Sequence, residues 1–167
     1  LRIGINGFGR IGRLVVRSLW PRIAAGEVDL VRVNDPCFYS STFSHLLYFY
    51  SLHFHFSPEG GINGEGEQLN LDGRAVAFSG ASVPADADWS GCDVVIECSG
   101  KHKTLDRLQA YLDQGVRRVV VSAPVKEEGV LNVVMGVNDD LYEPERHRIV
   151  TAASCTTNCL APVVKVI

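Results

Sequence analysis

The chain has 167 residues and a formal net charge of −3, from 16 Lys and Arg against 19 Asp and Glu. That length suits one domain of roughly 100–200 residues, and a composition 46% hydrophobic and 21% charged is globular rather than disordered. Mild acidity argues against a nucleic-acid partner or an anionic membrane surface, and apolar runs such as Val119-Val120-Val121 fall far short of the roughly 20 residues of a transmembrane helix.

Arg2-Ile3-Gly4-Ile5-Asn6 reads as a short buried strand. Residues 10–20 form a predicted helix with Ile11, Leu14, Val15 and Leu19 at helical spacing, ended or bent by Pro21 and followed by a loop at Gly26. Residues 28–34 are a second strand. Ser40 or Ser41 is expected to cap a helix carrying Phe43, Leu46 and Leu47. Residues 57–67, with Pro58, Gly60, Gly61, Gly64 and Gly66, read as a loop. Residues 68–78 alternate around Asp72-Gly73, a hairpin signal. A buried strand follows at 92–98, then a helix over 104–114 capped by Thr104 and stopped by Gly115. Strands at 116–122, 131–137 and 148–152 precede a last helix opened by Ser154. Strands and helices in alternation predict an α/β fold: a doubly wound, mostly parallel Rossmann-type sheet with an antiparallel hairpin insertion. Residues 1–152 would be the nucleotide-binding domain and 153–167 the first helix of a second, truncated one.

Further expectations come from what the sequence lacks. No basic stretch precedes an apolar one at the start, so no secretion signal is expected. The five cysteines (Cys37, Cys92, Cys98, Cys155, Cys159) form no Cys-x-x-Cys. That predicts neither a zinc knuckle nor a disulfide framework, and a reducing, cytoplasmic compartment. The sequence starts at Leu1 inside a strand pattern and stops at Ile167 inside an apolar helical one, as a piece of a longer chain would.

Gly7-Phe8-Gly9-Arg10-Ile11-Gly12 is a G-x-G-x-x-G that follows a strand and opens a helix, and Asp35 ends the next strand. This is the context of a dinucleotide site. Gly7 permits the tight turn, Gly9 lets a pyrophosphate approach the backbone, and Gly12 lets helix pack on strand. The helix N-terminus offers free N–H groups to the phosphates. Asp35 can accept hydrogen bonds from both ribose hydroxyls of NAD and would repel a 2′-phosphate.

A second motif is Ser154-Cys155-Thr156-Thr157-Asn158-Cys159. With Ser154 as cap, Cys155 is the first residue of a helix, whose positive dipole end favours a thiolate. Neighbouring hydroxyls and N–H groups make an anion-binding hollow. Cys155 is thus a candidate nucleophile for a carbonyl carbon, against a core or cap cysteine. Cys159, one turn on, reads as a small buried hydrophobe. His45, His53 and His55 read as packing or surface histidines rather than metal ligands, and Lys101-His102 as a solvated loop.

Taken together, Ile3-Gly4-Ile5-Asn6-Gly7-Phe8-Gly9-Arg10-Ile11-Gly12-Arg13, Asn34-Asp35, Glu97-Cys98-Ser99-Gly100, Ser122-Ala123-Pro124, Met135-Gly136-Val137-Asn138 and the Ser154 to Cys159 run resemble phosphorylating glyceraldehyde-3-phosphate dehydrogenase, in that family's order and spacing across the whole chain. The resemblance implies NAD as cofactor. It places the backbone of Arg10 and Ile11 on the pyrophosphate, Asp35 at the adenosine ribose, and Ser99 and Ser122 on the nicotinamide side, with Asn34 and Gly100 also among the cofactor-binding residues. It implies that Cys155 attacks glyceraldehyde 3-phosphate to give a hemithioacetal, that hydride passes to NAD, and that phosphate, helped by Ser154 and Thr156, cleaves the thioester. A homotetramer is implied for the full-length protein. The catalytic histidine, and the arginine and threonines that grip the substrate phosphate, would lie beyond Ile167. The chain by itself is therefore expected to bind NAD and no more. Alternatives are an inert NAD-binding remnant or a dehydrogenase of a related sugar phosphate such as erythrose 4-phosphate.

Val125-Lys126-Glu127-Glu128-Gly129-Val130-Leu131, Trp89-Ser90-Gly91-Cys92-Asp93 and Gln109 to Gly115 are similar to a bacterial branch associated with arsenate resistance, in which arsenate replaces phosphate and a transporter exports the product. The chain departs from the family pattern where Tyr50 stands for an acid and Phe54-His55 for Gly-Arg, and where Gly80-Ala81 offers no basic residue near the adenine.

Overall fold

The fold was taken from a computed structural model of the chain, which describes residues 1–37, 39–49, 56 and 58–167. The segment containing Tyr50, His53, Phe54 and His55 lies outside the described residues.

Among the described residues nine strands form one sheet: β1 (Arg2–Asn6), β2 (Asp29–Asn34), β3 (Ile62–Glu65), β4 (Gln68–Leu71), β5 (Arg74–Ser79), β6 (Val94–Glu97), β7 (Arg118–Val121), β8 (Leu131–Asn132) and β9 (Ile149–Thr151), in the spatial order β3-β4-β5-β2-β1-β6-β7-β9-β8. The run β5-β2-β1-β6-β7-β9 is parallel throughout. It has the strand order of a doubly wound nucleotide-binding sheet, whose winding order switches between β1 and β6. The helices are α1 (Arg10–Ala24), α2 (Ser40–Phe49), α3 (Leu105–Asp113) and α4 (Cys155–Val166).

The sheet is covered on both faces. Val95 of β6 belongs to a core of Trp89, Leu108, Tyr111, Val119 and Val121 beneath α3. Its neighbours Val94 and Ile96 pack against a second core of Ile3, Ile5, Val16, Val33 and Phe43 beneath α1 and α2. Alternate residues of one strand thus serve opposite faces.

The predicted hairpin is present. Asp72 and Gly73 both take positive φ, at 57° and 78°, as a two-residue turn matching strand twist requires. Several expectations need correction. The stretch read as a loop contains β3, which pairs antiparallel with β4 and so extends the insertion to three strands. Helix α1 runs through Pro21 to Ala24. Proline's missing donor there costs one bond in the last turn, and the chain reverses at Gly26, φ 75°. The buried face of α1 is Gly12, Arg13, Val16 and Ile23, while Ile11 and Leu14 are exposed. Ser40 is the first residue of α2 and donates its hydroxyl to the Gly66 carbonyl instead of capping. Thr104 is the N-cap residue of α3 without a side-chain cap bond, and the Glu127 carboxylate takes the Leu105 N–H at 3.1 Å.

Candidate functional site

The glycine motif sits where β1 turns into α1. Gly7 has φ 87°, a conformation that only glycine adopts freely. A Cβ on Gly7 would lie 2.3 Å from the Ser99 backbone nitrogen, and one on Gly12 would lie 2.3 Å from the Gly7 carbonyl. Both positions are closed to any side chain, so the loop is wedged between α1 and the segment after β6. A Cβ on Gly9 meets nothing within 4 Å. Gly9 is also the N-cap of α1, with no side-chain cap and no acid in the first turn. The helix thus presents uncapped N–H groups of Arg10 and Ile11 beside open space, which fits a pyrophosphate.

Asp35 follows β2 and is buried. Its Oδ2 accepts the Phe8 N–H and its Oδ1 accepts the Cys37 N–H, each at 2.8 Å. The carboxylate therefore ties the glycine loop to the end of β2, and each oxygen keeps a lone pair for a further donor. Asn34 is buried with its amide fully engaged inside the protein. It donates to Asn6 and to the Ala81 carbonyl, and accepts from the Ser79 hydroxyl and the Ala81 N–H. Its geometry suits shaping the pocket floor more than touching a ligand.

A cleft of about 230 Å³ opens at the point where strand order reverses, lined by Asn6, Gly7, Gly9, Asp35, Ser99 and His102 among others. Open α/β sheets hold ligands at this crevice. Ser99 donates its N–H and hydroxyl to Glu97 and receives the Lys101 N–H. Gly100 turns with φ 71°. Ser122 gives its N–H to the Glu97 carbonyl and its side chain is hydrogen-bonded to Cys98, yet burial pushes the Cys98 thiol up to about 12. His102, expected in a solvated loop, is buried against the cleft. Burial is the main cause that lowers its pKa, with Glu97 opposing and Arg107 and Lys101 assisting.

Cys155 heads α4 just beyond β9, and β9 runs parallel to β7. It therefore stands on the same edge of the sheet as the cleft, and its side chain is exposed. Ser154 caps the helix by accepting the Thr157 N–H at 3.0 Å, with the hydroxyls of Thr156 and Thr157 at 3.0 and 2.7 Å. The turn before it is held by Asn158, whose amide donates to the carbonyls of Ala152 and Ser154. Ala153 takes φ 55°, a strained conformation for alanine, and its N–H is held by Thr151 Oγ1 at 3.0 Å. The sequence reading missed Asn158 and Thr151; an Asn one turn into a helix that follows a tight turn is the available signal. Helix α4 has no buried residue: Leu160 is 62% and Val164 64% exposed. Cys159 is exposed as well, which corrects the expectation of a buried hydrophobe. Lys165 secures the far end of α4 by donating to the carbonyls of Gly136 and Val137.

A glycine loop closed to side chains at Gly7 and Gly12, an uncapped helix start and a carboxylate at the next strand end define a dinucleotide-binding domain. Comparison with known proteins agrees. The family described as glyceraldehyde 3-phosphate dehydrogenase, NAD binding domain, matches residues 1–105. Glyceraldehyde-3-phosphate dehydrogenase 3 of Nostoc sp. is 51% identical over 169 aligned positions, covering 100% of this chain and 48% of the relative. Glyceraldehyde-3-phosphate dehydrogenase of Geobacillus stearothermophilus is 37% identical over the same shares. A cytosolic form from Scenedesmus vacuolatus is 38% identical over 97% of this chain and 50% of its own length. The chain belongs to the glyceraldehyde-3-phosphate dehydrogenase family, and its cofactor is NAD. It spans about half the length of the curated relatives it matches. No helix among the described residues is long and apolar enough to cross a membrane.

Proposed function

We propose that this chain is the nucleotide-binding half of an NAD-dependent dehydrogenase that oxidises glyceraldehyde 3-phosphate to an acyl phosphate. The observation that carries the reading is the exposed Cys155 at the start of α4, on the cleft edge of the sheet and next in sequence to Ser154, whose hydroxyl is bonded to those of Thr156 and Thr157. Residues 1–152 hold the cofactor. Helix α4 begins the catalytic domain, which is consistent with its bare apolar face.

The Cys155 sulfur adds to the aldehyde carbon to form a hemithioacetal. NAD, when bound, supplies the acceptor for the hydride that this carbon gives up. The resulting thioester is cleaved by an inorganic anion, phosphate or arsenate, held by the Ser154 and Thr156 hydroxyls and the α4 N-terminus. Backbone N–H groups of Arg10 and Ile11 take the pyrophosphate, Asp35 the adenosine ribose, and Ser99, Gly100 and Ser122 border the nicotinamide. The working protein is a homo-oligomer, a tetramer by analogy with the family.

The test is NADH formation by the complete protein with glyceraldehyde 3-phosphate, run with phosphate and then with arsenate. Cys155→Ser abolishes turnover in both while NAD still binds. A Cys155→Ser protein with normal turnover would overturn the mechanism. The ratio of rates with the two anions identifies the acyl acceptor.

A further inference from the structure

Beneath the cofactor cleft the strand ends are joined by one run of buried hydrogen bonds. Glu97, at the end of β6, is 1% exposed. Its Oε2 accepts the Asn6 amide at 2.6 Å and the Tyr111 hydroxyl at 2.5 Å. Its Oε1 accepts the Ser99 N–H at 2.7 Å and the Ser99 hydroxyl at 2.5 Å. Among the described residues no Lys or Arg forms an ion pair with it. Asn6 in turn accepts from Asn34, which holds Ser79 and Ala81. The run thus passes from α3 across the ends of β6, β1 and β2 to β5, four neighbouring strands on which the cleft rests.

We propose that Glu97 is a positioning residue of the cofactor site: its carboxylate fixes the Gly7 turn against the Ser99–His102 wall and so sets the shape of the cleft that receives NAD. Asn6 immediately precedes Gly7, and Ser99 is the residue a Gly7 Cβ would strike. Both parts of the cleft are hung from this one side chain. Only a carboxylate meets all four donors, since it is the one group of this size that accepts on both arms and donates on neither. A glutamine must turn its NH2 toward one arm. Toward Ser99, it faces a backbone N–H that cannot reverse. Toward Asn6, it sets NH2 against NH2: either both compete for the Tyr111 hydroxyl, which already accepts from Asn6, or Asn6 flips and breaks the Asn6–Asn34 bond. In either case a buried donor is orphaned, which is costly.

The same logic provides a rescue. Asp at position 6 accepts from Gln at position 97, from Asn34 and from the Tyr111 hydroxyl, so Asn6→Asp with Glu97→Gln restores complementarity. Asn6→Asp by itself sets two carboxylates against each other. The experiment is NAD titration calorimetry on the intact protein. NAD binding belongs to the family, so this readout is independent of the turnover proposed above. Each single variant weakens NAD about tenfold or more, and the double variant returns to within about threefold of the parent. A folded Glu97→Gln protein whose affinity stays within about twofold of the parent overturns the proposal, as does a double variant no better than the weaker single. Should Glu97→Gln fail to fold, Tyr111→Phe decides: it weakens NAD about threefold, and unchanged affinity refutes the role.

Discussion

Removing the Asp35 carboxylate tests whether that residue only holds a ribose or also holds the protein together. In Asp35→Ala, two backbone N–H groups lose their acceptors, those of Phe8 and Cys37. Phe8 is fully buried, so its N–H has no route to water and the loss costs about 1.5–3 kcal/mol, the range for a bond to a charged group. Cys37 is exposed, and water can replace the acceptor there at little cost. The sum is about 2–3 kcal/mol of stability with no cofactor present, a Tm lowered by roughly 4–12 °C for a domain of this size. NAD affinity falls in addition. The assay is urea or thermal unfolding of the cofactor-free protein, followed by NAD titration at a temperature where both proteins are folded. An unchanged unfolding midpoint, with only the affinity reduced, would refute the structural half of the reasoning.

Gly12→Ala places a methyl 2.3 Å from the Gly7 carbonyl, so α1 must move off the loop. A loss of about 1–3 kcal/mol in denaturant unfolding is expected, together with weaker NAD binding. Burial lowers the His102 pKa from its ordinary 6.5, so below pH 6.5 the unfolded chain binds the proton more readily than the folded one. Stability is therefore lost as pH falls through this window, and His102→Gln flattens that part of the profile, as unfolding midpoints at pH 7.5 and 5.5 would show. Brief alkylation with iodoacetamide followed by peptide mapping should label Cys37, Cys155 and Cys159 and spare Cys92 and Cys98, whose thiols burial holds up. Bound NAD protects Cys37, which lines the cleft beside Asp35.

The parts of the fold written in local chemistry were legible from the sequence. The strand, glycine turn and helix at residues 2–20 follow from periodicity and from glycines that admit no substitute. Asp72-Gly73 declares its own turn, and Ser154 its own cap. What escaped depends on partners distant in sequence. The strand at Ile62–Glu65 has no apolar alternation of its own; backbone pairing with β4 organises it. Ser40 has the chemistry of a cap, but the Gly66 carbonyl claims its hydroxyl. His102 looked solvated because nothing local reveals that the loop after β6 folds back over the cleft. Of the candidate site, the glycines, Asp35 and Cys155 were visible as residue types in a characteristic setting. The four donors on Glu97 were not, because they converge from three separate elements.

The sheet order also dictates how this domain is born. Strand β1 is synthesised before the other eight strands of this sheet yet lies in its middle, and its partner β6 lies far along the chain: the Asn6–Glu97 contact spans 91 residues. At a ribosomal pace of about 5–20 residues per second, one hydrogen-bonding edge of β1 waits roughly 5–20 s for its neighbour. During that interval β1 can pair with β2 but stays open on its β6 side, the kind of edge that recruits other chains. Slower translation lengthens that exposure in proportion, whatever the stability of the finished domain.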